Sequence, residues 1–151
     1  MNKMIRKALQ RYWRLSRSLT VGAQGVVIDS QDRVLLIRHT YRPGWHFPGG
    51  GVEKNETVLT GLRRELAEEA RVTIDATPEL FGLYANFHHF PSDHIVLFIV
   101  RNWHQPVAPK PNHEIAEHGF FKPNALPDEI HPPTQRRLVE IFDNVPRAQM
   151  W

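Results

Sequence analysis

Apolar and polar positions fall into blocks along this chain, and the period changes from block to block. Residues 21–29 (VGAQGVVID) and 34–39 (VLLIRH) are β-rich runs separated by the polar SQDR, a pattern that predicts a hairpin. Residues 40–56 carry two prolines and four glycines, which predicts a long ordered loop, and loops of that length inside a compact domain usually serve function. Over 57–70 the period becomes helical, with Leu59, Leu62, Leu66 and Ala70 on one stripe. Two longer strands are expected at 79–89 and 94–103, joined near Pro91, Ser92 and Asp93, and a short one at 118–123. A last helix should begin near Pro133 and Thr134 and pack through Leu138, Ile141 and Phe142, while QPVAPKP (105–111) reads as a loop within the domain. The order implies an α/β or α+β sandwich with a mixed sheet between helices. No internal repeat is present.

Ahead of this pattern, Ile5, Ala8, Leu9, Tyr12 and Trp13 have helical spacing and form an apolar stripe flanked by bases. The sequence therefore divides into a basic amphipathic helix at 1–20 and a catalytic-size domain at 21–151.

Charge sharpens that division. Six of the 19 Lys and Arg residues are Lys3, Arg6, Lys7, Arg11, Arg14 and Arg17, and no acid precedes Asp29, so the remainder holds 13 bases against 16 acids. The formal charge of +3 thus belongs to the first segment. The leading expectation is a helix docked on the body or on a second subunit. Contact with a membrane surface or nucleic acid is the next, and a targeting or disordered extension the third. The segment lacks the continuous apolar core of a secretory signal.

The 151-residue length suits one domain with a real core. With no Cys there is no disulfide frame, thiolate site or cysteine nucleophile, which agrees with a cytoplasmic setting. The longest apolar run, IVLFIV at 95–100, is far too short to cross a bilayer.

The candidate chemistry lies in RELAEEA, residues 64–70. On a helix, Glu65, Glu68 and Glu69 stand at i, i+3 and i+4, so the three carboxylates are expected to share one exposed face. Each like-charged pair at about 6 Å repels by roughly 3 kcal/mol at an effective dielectric near 20. A solvated Glu-rich surface is the ordinary explanation of such a cluster. Here Gly49, Gly50 and Gly51 just upstream let the backbone approach closely and present carbonyl oxygens beside the carboxylates. An all-oxygen ligand set suits Mg²⁺, with Mn²⁺ as an alternative, and such an ion brings phosphates with it.

Residues 50–72 resemble the signature of the Nudix hydrolases. The pattern is Gly, five residues, Glu, seven residues, then Arg-Glu-apolar-any-Glu-Glu-any-Gly-apolar. The matching positions are Gly50, Glu56, Arg64, Glu65, Leu66, Glu68, Glu69 and Val72. Arg71 departs from it, standing where the family usually has Gly at the helix exit. The likeness covers most of 20–143 and leaves the first helix outside.

The resemblance implies that Glu65, Glu68 and Glu69 bind catalytic metal, with the Gly50 carbonyl as a further ligand, and that one carboxylate activates water. It implies a scaffold role for Glu56 and Arg64, paired to hold loop against helix. Glu114, in HEIAEHGFF (113–121), is the leading additional catalytic carboxylate and Glu117 the second, against a reading of both as solvated loop acids. For substrate, Arg38, His39 and Arg42 could meet phosphates and Trp45, Tyr84 and Phe87 could stack on a base, although each aromatic fits a core role at least as well. His88 and His89 could flank the mouth of the site.

The activity implied is Mg²⁺-dependent hydrolysis of a diphosphate linkage in a nucleoside diphosphate joined to another moiety. The partner is then a small nucleotide, and a homodimer is compatible with it. A mutator-type nucleotide pool cleaner lies within this class. A prenyl diphosphate isomerase does not fit, because it normally needs a catalytic cysteine. The competing class is a catalytically silent ligand-sensing or nucleic-acid-binding module on the same fold; retention of every carboxylate of the signature argues against it.

Overall fold

The computed structural model describes residues 3–151; the first two residues of the segment expected to be helical lie outside the described residues. The elements are α1 (Lys3–Ser16), β1 (Thr20–Val27), β2 (Val34–His39), β3 (Trp45–His46), β4 (Gly49–Gly51), α2 (Val58–Ala70), β5 (Thr73–Ile74), β6 (Glu79–Ala85), β7 (Asp93–Val100), β8 (Trp103–His104), β9 (Ile115–Phe121) and α3 (Pro132–Phe142).

A four-stranded mixed sheet has the order β4-β1-β7-β6, and a three-stranded sheet the order β3-β2-β9. β1 runs parallel to β7 and antiparallel to β4, and β6 and β7 pair antiparallel. Both faces are covered. Ala23, Val27, Leu35, Phe98 and Val100 pack with Leu62, Leu66 and Ala70 of α2. Val26, Ile28, Val34, Leu36, Leu97 and Ile99 form the other layer with Leu138 of α3. Successive residues of one strand enter opposite layers, which is why β2 and β7 read as continuous apolar runs. Gly25 lets α2 approach closely, since a Cβ there would stand 3.2 Å from the Leu66 methyls.

The sandwich is therefore as expected, but three local expectations are corrected. β1 and β2 do not make a paired hairpin. Past the turn at Asp32 (φ 54°) they share only an isolated Ile28–Val34 bridge and then enter different sheets. The stretch 40–56 is not all loop, because its glycines form β4 against β1, with Ala23 opposite Gly50. The strand expected at 79–89 ends at Ala85, leaving His88 and His89 in the turn before β7.

The first helix is present, yet its apolar stripe is not packed on the body. Ile5, Tyr12 and Trp13 are exposed and only Leu9 is half-buried. Among the described residues no helix is long and apolar enough to cross a membrane.

α2 starts with Thr57, whose Oγ1 accepts the Thr60 N–H at 3.1 Å. It ends at Arg71 in the left-handed region, φ 56° and ψ 26°, where the Val72 N–H closes on the Leu66 carbonyl at 3.1 Å. A Cβ in that conformation costs about 1 kcal/mol relative to glycine. Arg71→Gly is accordingly expected to raise the unfolding free energy by about 1 kcal/mol, read from urea midpoints. An unchanged or lower midpoint would show that the arginine side chain offsets the strain.

Candidate active site

The acidic helix does not present three equivalent carboxylates. Glu68 is exposed, Glu65 is half-buried and Glu69 is buried, a correction to the single exposed face expected from spacing. The reason is the turn of α2: residues 62, 66, 69 and 70 face the sheet, and Glu69 sits at the edge of that buried stripe.

Glu69 is held by partners distant in sequence. The Gly49 N–H donates to its Oε2 at 2.7 Å, and His39 Nε2 lies 3.2 Å from its Oε1. Burial pushes the Glu69 carboxyl up to about 8; the Gly49 N–H opposes this, and the nearby Glu65 and Glu114 add to it, while Arg42 pulls the other way. Burial, with the Arg42 guanidinium beside it, draws His39 down to about 4. The contact is at ion-pair distance, but burial works against the charged form of each partner; the hydrogen bond that His39 Nε2 makes is with Arg42 Nη2, at 3.2 Å.

The sign of the pH dependence follows. Unfolded, Glu69 titrates near 4.5, and folded near 8, so the folded chain retains an extra proton between the two. Stability from this group is complete below the lower value and is lost as pH rises through the upper one. In the absence of divalent ions, wild type is expected to lose stability relative to Glu69→Gln between about pH 5 and 8, measured as diverging urea midpoints. Midpoints that stay parallel would refute the protonated carboxyl.

Arg64 supplies the positive charge within the chain that faces the other two acids. Its Nη1 donates to Glu65 Oε1 at 2.6 Å and lies 3.5 Å from Glu68 Oε2. Its Nε and Nη2 grip Glu56 at 3.0 and 3.1 Å, and Nη2 also reaches the Gly51 carbonyl at 3.0 Å. This two-pronged pair draws Glu56 below the usual carboxylate range and ties the loop at 53–56 to α2. Burial raises Glu65 against the pull of Arg64.

The glycine strand is pressed against these acids. Gly49 has φ 143°, and a Cβ there would lie 2.2 Å from the Ala23 carbonyl oxygen. A Cβ on Gly50 would lie 2.6 Å from the Glu65 carboxyl carbon. Glycine is required at both positions for strand and carboxylate to meet. Among the described residues no three acid or histidine side chains converge as a ready metal cage. The donors beside Gly50 are nonetheless all oxygen, the chemistry that suits a hard dication, so Glu65, Glu68, Glu69 and the Gly50 carbonyl are the groups that fit one.

Beside β4 lies a cleft of about 1110 Å³. Gly49, Gly50 and Gly51 line it, with the bases Arg42, Lys54 and Arg136 outnumbering the acids Glu53 and Asp93. Gln24, Asn86, Ile95 and Trp151 also line it, as do His88 and His89 of the turn before β7. The structure sorts the expected substrate residues. Arg42 lines the cleft; its Nη2 lies 3.2 Å from His39 Nε2, and its Nε is buried with no hydrogen-bond partner in the chain. Arg38 instead pairs with Glu117 at 3.2 Å and Glu129 at 3.1 Å. His39 turns inward to Glu69, because neighbouring residues of β2 face opposite layers. Trp45 and Tyr84 are not stacking platforms. Trp45 is buried edge-on to Phe121, and Tyr84 is buried with its hydroxyl donating to Glu140 at 2.8 Å. Phe87 is exposed against His94 and does not line the cleft. Glu114 is exposed and near enough to Glu65 and Glu69 to act on their charge, whereas Glu117 is engaged by Arg38.

Lys54, Arg136 and Trp151 escaped the sequence reading. Lys54 was legible as a base between the glycines and Glu56, whereas no local pattern marks Arg136 or Trp151.

Comparison with known proteins gives this arrangement a context. A family model described as the NUDIX domain matches residues 18–142. A MutT-like protein from Streptomyces ambofaciens is 39% identical over 67 residues, 44% of this chain and 43% of that protein. An 8-oxo-dGTP diphosphatase from Proteus vulgaris is 36% identical over 94 residues, 58% of this chain and 81% of that protein. The chain thus spans less than half of the Streptomyces relative and most of the Proteus one. The solved structure of a MutT NUDIX hydrolase from Burkholderia pseudomallei superposes with a TM-score of 0.69 at 21% identity, covering 82% of this chain and 98% of that one. A family match that begins after α1 and takes in the glycine strand, the acidic helix and the cationic cleft leaves one assignment: the chain belongs to the NUDIX domain family.

Proposed function

We propose that the chain is a divalent-cation-dependent hydrolase that splits a diphosphate linkage in a nucleoside diphosphate derivative. The observation that carries this reading is the meeting of Glu65 and Glu69 with the glycine strand at the wall of a cationic cleft. Arg42, Lys54 and Arg136 offer three cations to a polyphosphate. Mg²⁺ or Mn²⁺, bound by Glu65, Glu68, Glu69 and the Gly50 carbonyl, would neutralise phosphate charge and lower the pKa of water.

The chain's own groups divide the remaining work. His39 and the Gly49 N–H fix the Glu69 carboxyl, so its orientation is set before substrate arrives. Arg64 holds Glu65 against Gly50 and keeps the loop in register through Glu56. Glu114, exposed beside the two acids, is the candidate to take the proton from the attacking water. Water adds to one phosphorus, the bridging oxygen leaves with the other phosphate, and the proton passes to the carboxylate.

The relative named 8-oxo-dGTP diphosphatase supports nucleoside triphosphates as the first substrates to test. The decisive experiment is a panel of nucleoside triphosphates, including oxidised ones, with nucleotide sugars and dinucleotides, assayed with Mg²⁺ for phosphate or nucleotide release. Turnover of at least one compound, abolished by chelation, is expected. Wild type indistinguishable from Glu69→Gln on every compound would overturn the reading.

A further inference from the structure

α1 ends at Ser16 and the family match begins at residue 18, so the hydrolase reading leaves this helix without a task. Its residues divide cleanly by chemistry. At 100° per residue, Met4, Ile5, Ala8, Leu9, Tyr12, Trp13 and Leu15 fall within an arc of about 180°. Arg6, Lys7, Arg11 and Arg14 fall in the complementary arc, Arg17 follows just past the helix end, and no acid comes before Asp29. The apolar arc is open to solvent: Ile5 is 55% exposed, Tyr12 63%, Trp13 43% and Leu15 80%. Arg17 lies 5.8 Å over the Trp13 ring at the boundary between the arcs.

We infer that α1 is an in-plane anchor that binds the surface of an anionic lipid bilayer. The helix has two faces of different chemistry. A protein groove without an acidic rim would take the apolar arc and leave the cations in water. A nucleic acid would take the cations and leave Ile5, Tyr12 and Leu15 exposed. An anionic membrane surface receives both at once, with aliphatic and aromatic groups at the acyl boundary and Lys and Arg extended to headgroup phosphates. The remaining chain, 13 bases against 16 acids, adds no attraction of its own, so binding belongs to α1. The helix is too short to span, which agrees with a lateral position.

The test is co-sedimentation of the full chain with vesicles of phosphatidylcholine alone and of phosphatidylcholine with about one third phosphatidylglycerol. Partitioning on the anionic vesicles is expected to exceed that on the neutral ones by tenfold or more, and to fall as salt is raised. Ile5→Gln with Trp13→Gln removes apolar area while keeping charge and helix propensity; Arg11→Gln with Arg14→Gln removes charge alone. Each pair should lower anionic binding by at least tenfold without moving the unfolding midpoint of the body. Equal partitioning on both vesicles, or an apolar pair that binds like wild type, would overturn the inference. So would single-stranded RNA binding, or a dimer lost in the apolar pair, found without vesicle binding.

Discussion

Glu69→Gln is expected to abolish turnover while leaving the fold at least as stable as wild type. The loss should be a hundredfold or more in kcat/KM on whichever compound the panel identifies, about 3 kcal/mol of transition-state stabilisation. The amide keeps the shape of the carboxyl and can still accept the Gly49 N–H, so the glycine strand stays docked. What disappears is the capacity to carry negative charge, needed to bind a dication and redundant without one. Because burial already favours the neutral carboxyl, the neutral amide costs the apo fold little. Two measurements separate function from folding: Mn²⁺ affinity should fall with turnover, while the urea midpoint at pH 8 should hold or rise. Retained Mn²⁺ binding and turnover would remove Glu69 from the site.

The second large effect lies away from the chemistry. Arg137 is 1% exposed, with Nη2 2.8 Å from Glu140 Oε1 and Nη1 donating to the Met150 carbonyl at 2.8 Å. Its guanidinium also lies 4.3 Å over the Tyr84 ring. Glu140 in turn accepts from the Tyr84 hydroxyl and the Ala148 N–H. Arg137→Ala would leave Glu140 as a buried charge short of its cation and release the segment at 148–151. A loss of about 3 to 5 kcal/mol is expected, seen as a lower urea midpoint and a melting temperature down by roughly 10 °C. Trp151 donates its N–H to the Ala85 carbonyl and lines the cleft, so KM should rise as well. A loss below about 1 kcal/mol would mean that this network is dispensable.

How much of this was legible beforehand depends on the range of the interaction. α2 was readable to within a residue, expected over 57–70 and found at Val58–Ala70, because helical period acts over a few positions. The strands at β6, β7 and β9 were readable as segments. Their pairing was not: β1 and β2 looked like partners and are assigned to separate sheets. Glycines 49–51 looked like loop because strand propensity penalises them, yet β1 imposes the extended form. Trp45 and Tyr84 could not be told from stacking platforms, since an aromatic at a strand position suits a core or a cleft equally well.

The sequence by itself determined the inventory: an acidic helix behind three glycines, a chain without thiols, and a cationic amphipathic segment ahead of both. Those features are written in short-range spacing and in side-chain chemistry. Tertiary structure alone decided which carboxylate is buried, that His39 faces Glu69 while Arg38 turns away, and that Arg136 and Trp151 reach the cleft. Burial and electrostatics depend on which distant segments share a volume, and no local period along the chain records that.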